Sequence, residues 1–118
     1  MIKNVKEFAS NPIAAGKGGS MQVLIGADKA PNFAMRKFIL KSGGNMPLHT
    51  NTVEHEQYVL AGSAKVIMGD EEFIAKKDDV IYIPAGVPHS YDVLGDEDYE
   101  FLCLIPTTTE DCITLLSC

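Results

Sequence analysis

From residue 21 onward, apolar and polar positions fall into short strand-like stretches separated by turn residues. Residues 21–25 form an apolar run ended by Gly26. Residues 33–41 alternate as a half-buried strand does, and Ser42-Gly43-Gly44 predicts its end. Residues 56–61 and 64–68 flank Gly62-Ser63, the composition of a two-residue hairpin turn. Gly69-Asp70 turns the chain into 71–75, and 80–83 is a short apolar run closed by Pro84. Residues 90–94 alternate, Gly95-Asp96 turns, and 99–105 is rich in β-forming residues. Strands recurring about every 8–12 residues, with turns between them, predict an all-β sandwich or barrel.

No stretch of helical period falls between residues 21 and 106, and there is no internal repeat. Residues 1–20 read as an N-terminal arm. Residues 4–9 suit one helical turn, stopped by Asn11-Pro12. Residues 21–106 make the barrel. Residues 107–118 read as a C-terminal tail ending in Ile113, Leu115 and Leu116, which either adds an edge strand or packs on a partner subunit.

At 118 residues there is room for a single domain and a single core. A content of 46% hydrophobic and 22% charged residues excludes disorder, collagen and coiled coil as descriptions of the whole chain. Lys+Arg 10 against Asp+Glu 16 gives a net charge of 10 − 16 = −6. Polyanion binding needs clustered Lys and Arg, so neither nucleic acid nor an anionic membrane is the expected partner. A small molecule or a protein is. The three cysteines, Cys103, Cys112 and Cys118, form no disulfide framework and no CxxC pair. The first ten residues lack a continuous apolar segment, and no apolar run nears the ~20 residues of a membrane span. The expected location is cytoplasmic.

The chain has three histidines, His49, His55 and His89, each at or just before the start of an expected strand. Residues i and i+2 share a strand face. His49 therefore points with Asn51, His55 with Gln57 and Val59, and His89 with Tyr91 and Val93. Curling the strands into one barrel brings three imidazoles to one cavity.

These residues resemble the two motifs of the cupin superfamily. The first, G-x5-H-x-H-x3,4-E-x6-G, is met by Gly43, His49, Asn51, His55 and Gly62. The second, G-x5-P-x-G-x2-H-x3-N, is met by Pro84, Gly86 and His89, with Asp78 and Val93 replacing its ends. Tyr58-Val59-Leu60-Ala61-Gly62 is similar to the family's hairpin. The resemblance covers residues 21–106 and implies a double-stranded β-helix, the jelly-roll barrel of cupins, as a single domain. More narrowly, VLIGADKAPNFAMRKF, EHEQYVLAG and EFLCLIP resemble small single-domain cupins with four histidines around a divalent metal, some of them dioxygenase-like.

What the resemblance implies is one divalent metal ion (Mn, Fe, Ni, Zn or Cu) held by His49, His55 and His89. Asn51 stands where the subgroup has a fourth histidine. It is either a carbonyl-oxygen ligand, weaker than imidazole for first-row transition metals, or a hydrogen-bonder behind the ligands. Glu54 and Glu56 point away from His55 by strand alternation, leaving a metal's charge uncompensated and favouring an anionic ligand. The same resemblance places Phe101 in the substrate pocket, with Cys103 on its face. Gln57, Met46 and Tyr91 are further pocket candidates, as are Phe33, Met35 and Tyr82. For each apolar one, plain barrel core is the competing reading. Arg36 reads as a surface residue, with steering of an anion as its alternative.

The expected function is that of a metal-dependent, dioxygenase-like oxidoreductase acting on a small anionic or enolisable molecule. The alternative is a non-enzymatic small-molecule or metal-binding cupin. Small jelly rolls of this family often pair, so a homodimer is expected.

Overall fold

Turn spacing predicts strands, and strands dominate the computed structural model of the chain. In order they are β1 (Asn11–Pro12), β2 (Lys17–Ile25), β3 (Phe33–Asn51), β4 (His55–Ala61), β5 (Ser63–Met68), β6 (Glu71–Lys76), β7 (Val80–Ile83), β8 (His89–Leu94), β9 (Tyr99–Pro106) and β10 (Ile113–Leu115). The structure describes residues 1–107 and, as backbone, 113–115. Among them the one helical piece is a 3-10 turn, Val5–Glu7, capped by the Asn4 side chain. No helix among the described residues is long and apolar enough to cross a membrane.

The strands pair antiparallel in the order β6-β5-β8-β3-β9-β4-β7 and curl into a jelly-roll barrel. β3 joins the two halves of that barrel. Its first half, from Phe33 to Leu40, pairs with β9, and its second, from Asn45 to His49, pairs with β8. The sequence predicts an end at Ser42-Gly43-Gly44. Instead the chain turns a corner there and runs on to Asn51 as one strand of 19 residues. Gly43 takes a φ of +77°, which a side chain resists. A Cβ on Gly44 would lie 2.5 Å from the Lys17 carbonyl oxygen and 2.8 Å from that of Lys41. The glycines therefore permit the bend and the close backbone approach; they do not stop the strand.

The arm is shorter than the sequence suggests. β2 begins at Lys17 and runs beside β3 from Lys17 opposite Asn45 to Ile25 opposite Met35. β1 folds back on β2, Asn11 opposite Met21. At the other end, β10 lies along the end of β3, with Thr114 opposite Thr50, so this part of the tail is an edge strand of its own barrel. Cys112, Leu116 and Cys118 lie outside the described residues.

The core follows the two-residue period of the strands. On β4, His55, Gln57 and Val59 face inward while Glu56 and Tyr58 face out; on β9, Tyr99, Phe101 and Cys103 face inward. Leu40, Val59, Val66, Ile83, Tyr91 and Tyr99 join Phe101 and Cys103 in the buried cluster.

Candidate functional site

His49 and His89 stand directly opposite each other on β3 and β8. Their ring centroids are 4.2 Å apart, and His55, at the start of β4, lies 6.0 Å from His89. All three are buried, as is Asn51. Strand pairing thus gathers the residues that the sequence sets on inward faces.

Backbone carbonyls fix two of the tautomers. His49 Nδ1–H donates to the Pro47 carbonyl at 2.7 Å, and His89 Nδ1–H donates to that of Val87 at 2.9 Å. A carbonyl only accepts, so Nδ1 carries a proton, and in the neutral ring Nε2 then holds the lone pair. Hydrogen bonds of this kind are how proteins orient imidazoles that bind metal. In both cases the acceptor lies two residues earlier: Pro47 itself for His49, and Val87, just before Pro88, for His89.

His55 is held differently. Its Nδ1 lies 3.3 Å from Cys103 Sγ. Arg36 Nη2 donates to the same sulfur at 3.4 Å, and Gln57 Nε2 points at it from 3.8 Å. Burial pushes the Cys103 thiol up, but the hydrogen bonds and charges of His55 and Arg36 outweigh it and bring the net shift down. Beside this cluster the Gln57 amide donates to the Tyr91 hydroxyl at 2.8 Å. Burial holds the Tyr91 phenol well above its usual range, so it stays protonated.

These side chains line a cavity of about 280 Å³. Met46, His49, Asn51, His55, Gln57, His89, Tyr91 and Phe101 all contribute. Cys103 is fully buried behind the wall, touching it through His55, Gln57 and Arg36. Three apolar candidates are misplaced. Phe33 and Tyr82 are exposed at 68% and 56%, and Met35 does not line the cavity. In the first half of β3 the inward positions are even-numbered, so Arg36 and Phe38 line the cavity in place of Phe33 and Met35.

Arg36 is therefore no surface residue. It sits opposite Cys103 on β9, and its guanidinium lies 5.0 Å from the Phe38 ring centroid. The sequence reading also missed Pro12, Ile13, Ala15 and Met21, which bring the arm to the cavity. Hydropathy gives no pointer to the first three; Met21 shares an alternating strand with Val23. The stripe Arg36, Phe38, Leu40 is readable by alternation, but a charge at its head hides it.

The donors fit a divalent transition metal in kind: imidazoles of assigned tautomer and a buried amide oxygen on Asn51. Among the described residues, no group of three or more His, Cys, Asp or Glu is closed into a metal-holding cluster. The close pair is His49 and His89, with His55 standing farther off.

A family model described as Cupin domain matches residues 36–105, more than half the chain and both histidine-bearing segments. The uncharacterized protein MJ1618 of Methanocaldococcus jannaschii is 32% identical over 71 residues, 59% of this chain and 57% of its own length. The chain thus spans little more than half of that relative. Among solved structures, the polyketide cyclase RemF of Streptomyces resistomycificus superposes with a TM-score of 0.87 at 25% identity, covering 100% of this chain and 87% of that one. Rru_A2000 of Rhodospirillum rubrum, a cupin-2 domain, superposes with a TM-score of 0.85 at 20% identity over 99% and 80%, a likeness of fold. Jelly-roll topology, inward histidines on β3, β4 and β8 and the match over residues 36–105 agree: the chain belongs to the cupin family.

Proposed function

We propose that this protein is a divalent-metal-dependent enzyme carrying out dioxygenase-like oxidation of a small anionic or enolisable molecule. The observation that carries the reading is the set His49, His55, His89 and Asn51 on one cavity wall, with Nδ1 of His49 and His89 tied to backbone carbonyls. Those four residues would hold the ion. A bound divalent metal supplies Lewis acidity toward a ligand oxygen and open positions for small molecules.

The chain's own contribution is positional and electrostatic. Neutral imidazoles and an amide leave a bound ion's charge for the ligand to balance, which favours carboxylates and enolates. Phe38, Phe101 and Tyr91 keep the cavity wall apolar. The Tyr91 hydroxyl and Gln57 amide supply fixed polar contacts. Among the described residues no carboxylate lines the cavity, so proton abstraction by Asp or Glu is not part of this reading. Likeness to a polyketide cyclase supports an enolisable carbonyl compound as the ligand class.

Elemental analysis of protein purified without added metal tests the proposal. The expected result is one of Mn, Fe, Ni, Zn or Cu at about one equivalent, lost in His49→Ala and His89→Ala while β-type circular dichroism is kept. Metal-free protein, or full occupancy in both variants, overturns it. Oxygen uptake by the loaded protein separates the oxidative enzyme from a binding protein. A homodimer belongs to the same reading, supported by the exposed apolar side chains Phe33, Ile74, Val80 and Tyr82, and light scattering checks it.

A further inference from the structure

Pro12, Ile13 and Ala15 are the cavity-lining residues that come from the N-terminal arm rather than from β2, β3, β4, β8 or β9. The wall supplied by β3, β4, β8 and β9 is held by strand pairing on both edges of each strand. The arm's share is held far more lightly. β1 pairs with β2 over two residues, and Ile13 N–H donates to the Gly19 carbonyl at 2.9 Å. Residues 1–7 and 9–12 are exposed. What fastens the far end of the arm is Gln22. Met21 and Gln22 are neighbours on β2 and point to opposite faces. Met21 lines the cavity. Gln22 is buried on the other side, where its amide donates to the Val5 carbonyl at 3.1 Å and to the Phe8 carbonyl at 3.2 Å. The capping box of Asn4 and Glu7 closes the turn that presents those carbonyls. The arm thus starts on the outer face of β2, crosses its edge at β1 and ends against the cavity.

We infer that residues 1–15 are the lid of this cavity, that Gln22 is the latch that keeps it shut, and that a small-molecule ligand is admitted when the Gln22 bonds break and the arm swings about Gly16 and Gly18. Those glycines flank Lys17, where β2 begins, at φ of +76° and +73°, and leave the backbone free to change direction there. Opening breaks two side-chain hydrogen bonds and the short pairing of β1, and no strand pair among β2 to β9. Segments held by few buried contacts and by exposed backbone bonds are the ones that open at low free energy. Closed, Pro12, Ile13 and Ala15 set apolar surface beside the buried imidazoles and keep water from them. The inference goes beyond the proposed activity. It takes from that reading only the small-molecule ligand and needs no metal.

Diethyl pyrocarbonate is the probe. It acylates imidazole, and the chain's three histidines all line the cavity. The rate of carbethoxylation of chelator-treated, metal-free protein, followed by ultraviolet absorbance, therefore reports entry. Gln22→Leu is expected to raise that rate about 10-fold, the worth of two ordinary hydrogen bonds. It should also speed amide exchange at Phe8 and Ile13 and leave β4 and β9 unchanged. A disulfide supplies the opposite perturbation. A Cβ on Gly19 would lie 3.5 Å from that of Ile13, within the span of a disulfide. Ile13→Cys/Gly19→Cys, with Cys112→Ser and Cys118→Ser to prevent mispairing, should react about 10-fold more slowly when oxidised than after reduction and removal of the reductant. Equal rates in the oxidised and reduced forms would show that the cavity is entered elsewhere and overturn the lid. No acceleration in Gln22→Leu, or equal acceleration of exchange in β4 and β9, overturns the latch. None of these readings involves metal, so a protein purified without metal would end the enzymatic proposal and leave this one standing.

Discussion

Replacing Tyr91 by Phe removes one oxygen and keeps the ring. The substitution therefore isolates the hydroxyl's bond to Gln57, 2.8 Å long, between residues that are 2% and 4% exposed. The ring contacts with Phe101 and His89 survive the change. The Gln57 amide is left with a weak contact to the Cys103 sulfur at 3.8 Å. A buried amide that loses its partner costs ~1–3 kcal/mol. Gln57→Met does the converse and strands the Tyr91 hydroxyl, at a similar cost of ~1–3 kcal/mol. Removing both partners leaves no stranded group. Gln57→Met/Tyr91→Phe should therefore cost less than the sum of the single changes, with a coupling of ~1–2 kcal/mol. Urea unfolding of metal-free protein, followed by circular dichroism, reads this directly. With a urea dependence of ~1–3 kcal/mol/M, a loss of 2 kcal/mol moves the midpoint by about 1 M. Additive costs, with coupling below ~0.5 kcal/mol, would refute the reasoning. They would mean that cavity water already satisfies both groups and that the pair is not a fixed feature of the wall.

Two further outcomes are expected. Asn51→His restores a fourth imidazole beside His49 and should tighten binding of manganese, iron or zinc, since imidazole outranks an amide oxygen for such ions; unchanged or weaker affinity in a metal titration would mean that Asn51 does not serve the metal. Tyr91 and Tyr99 are both held above the ordinary phenol range, chiefly by burial. In the native state they keep their protons where the unfolded chain loses them, so their stabilisation is whole below pH ~10 and declines as pH rises above it. Phenolate absorbance from these two should emerge together with loss of β-type circular dichroism, and phenolate signal from all four tyrosines in a still-folded protein would contradict this.

How much of this was legible in the sequence depended on whether strand parity could be read. β4, β8 and β9 carry their own period: His55-Gln57-Val59, His89-Tyr91 and Tyr99-Phe101-Cys103 are alternating sets bounded by turns, and all of them face inward. The same holds for His49 and Asn51 at the end of β3. The first half of β3 misled because it is apolar on both faces. Phe33 and Met35 look as suitable as Phe38, and Arg36 looks unsuitable until β9 is set beside it with Cys103 opposite Arg36 and Phe101 opposite Phe38. That pairing is a long-range fact with no local trace. Ser42-Gly43-Gly44 misled for a related reason. Glycines that permit a corner and glycines that end a strand have the same composition; only the partner strands on either side distinguish them.

The same parity sets where the carboxylates of β4 point. The residue in the family's glutamate position is His55, and carboxylates flank it on both sides, Glu54 and Glu56. For either to reach the cavity β4 would have to slip by one residue, which moves every side chain to the other face. His55, Gln57 and Val59, all nearly buried, would go to solvent, and Tyr58, now 41% exposed, would go into the core. β4 is held against this on both edges, with Gln57 opposite Ile81 on β7 and opposite Cys103 on β9. The slip would also break the contact between His55 and the Cys103 sulfur and strand the Tyr91 hydroxyl. Two carboxylates one residue from the centre are therefore kept out of it by backbone register. No described side chain brings a negative charge into the cavity, and Arg36 brings a positive one.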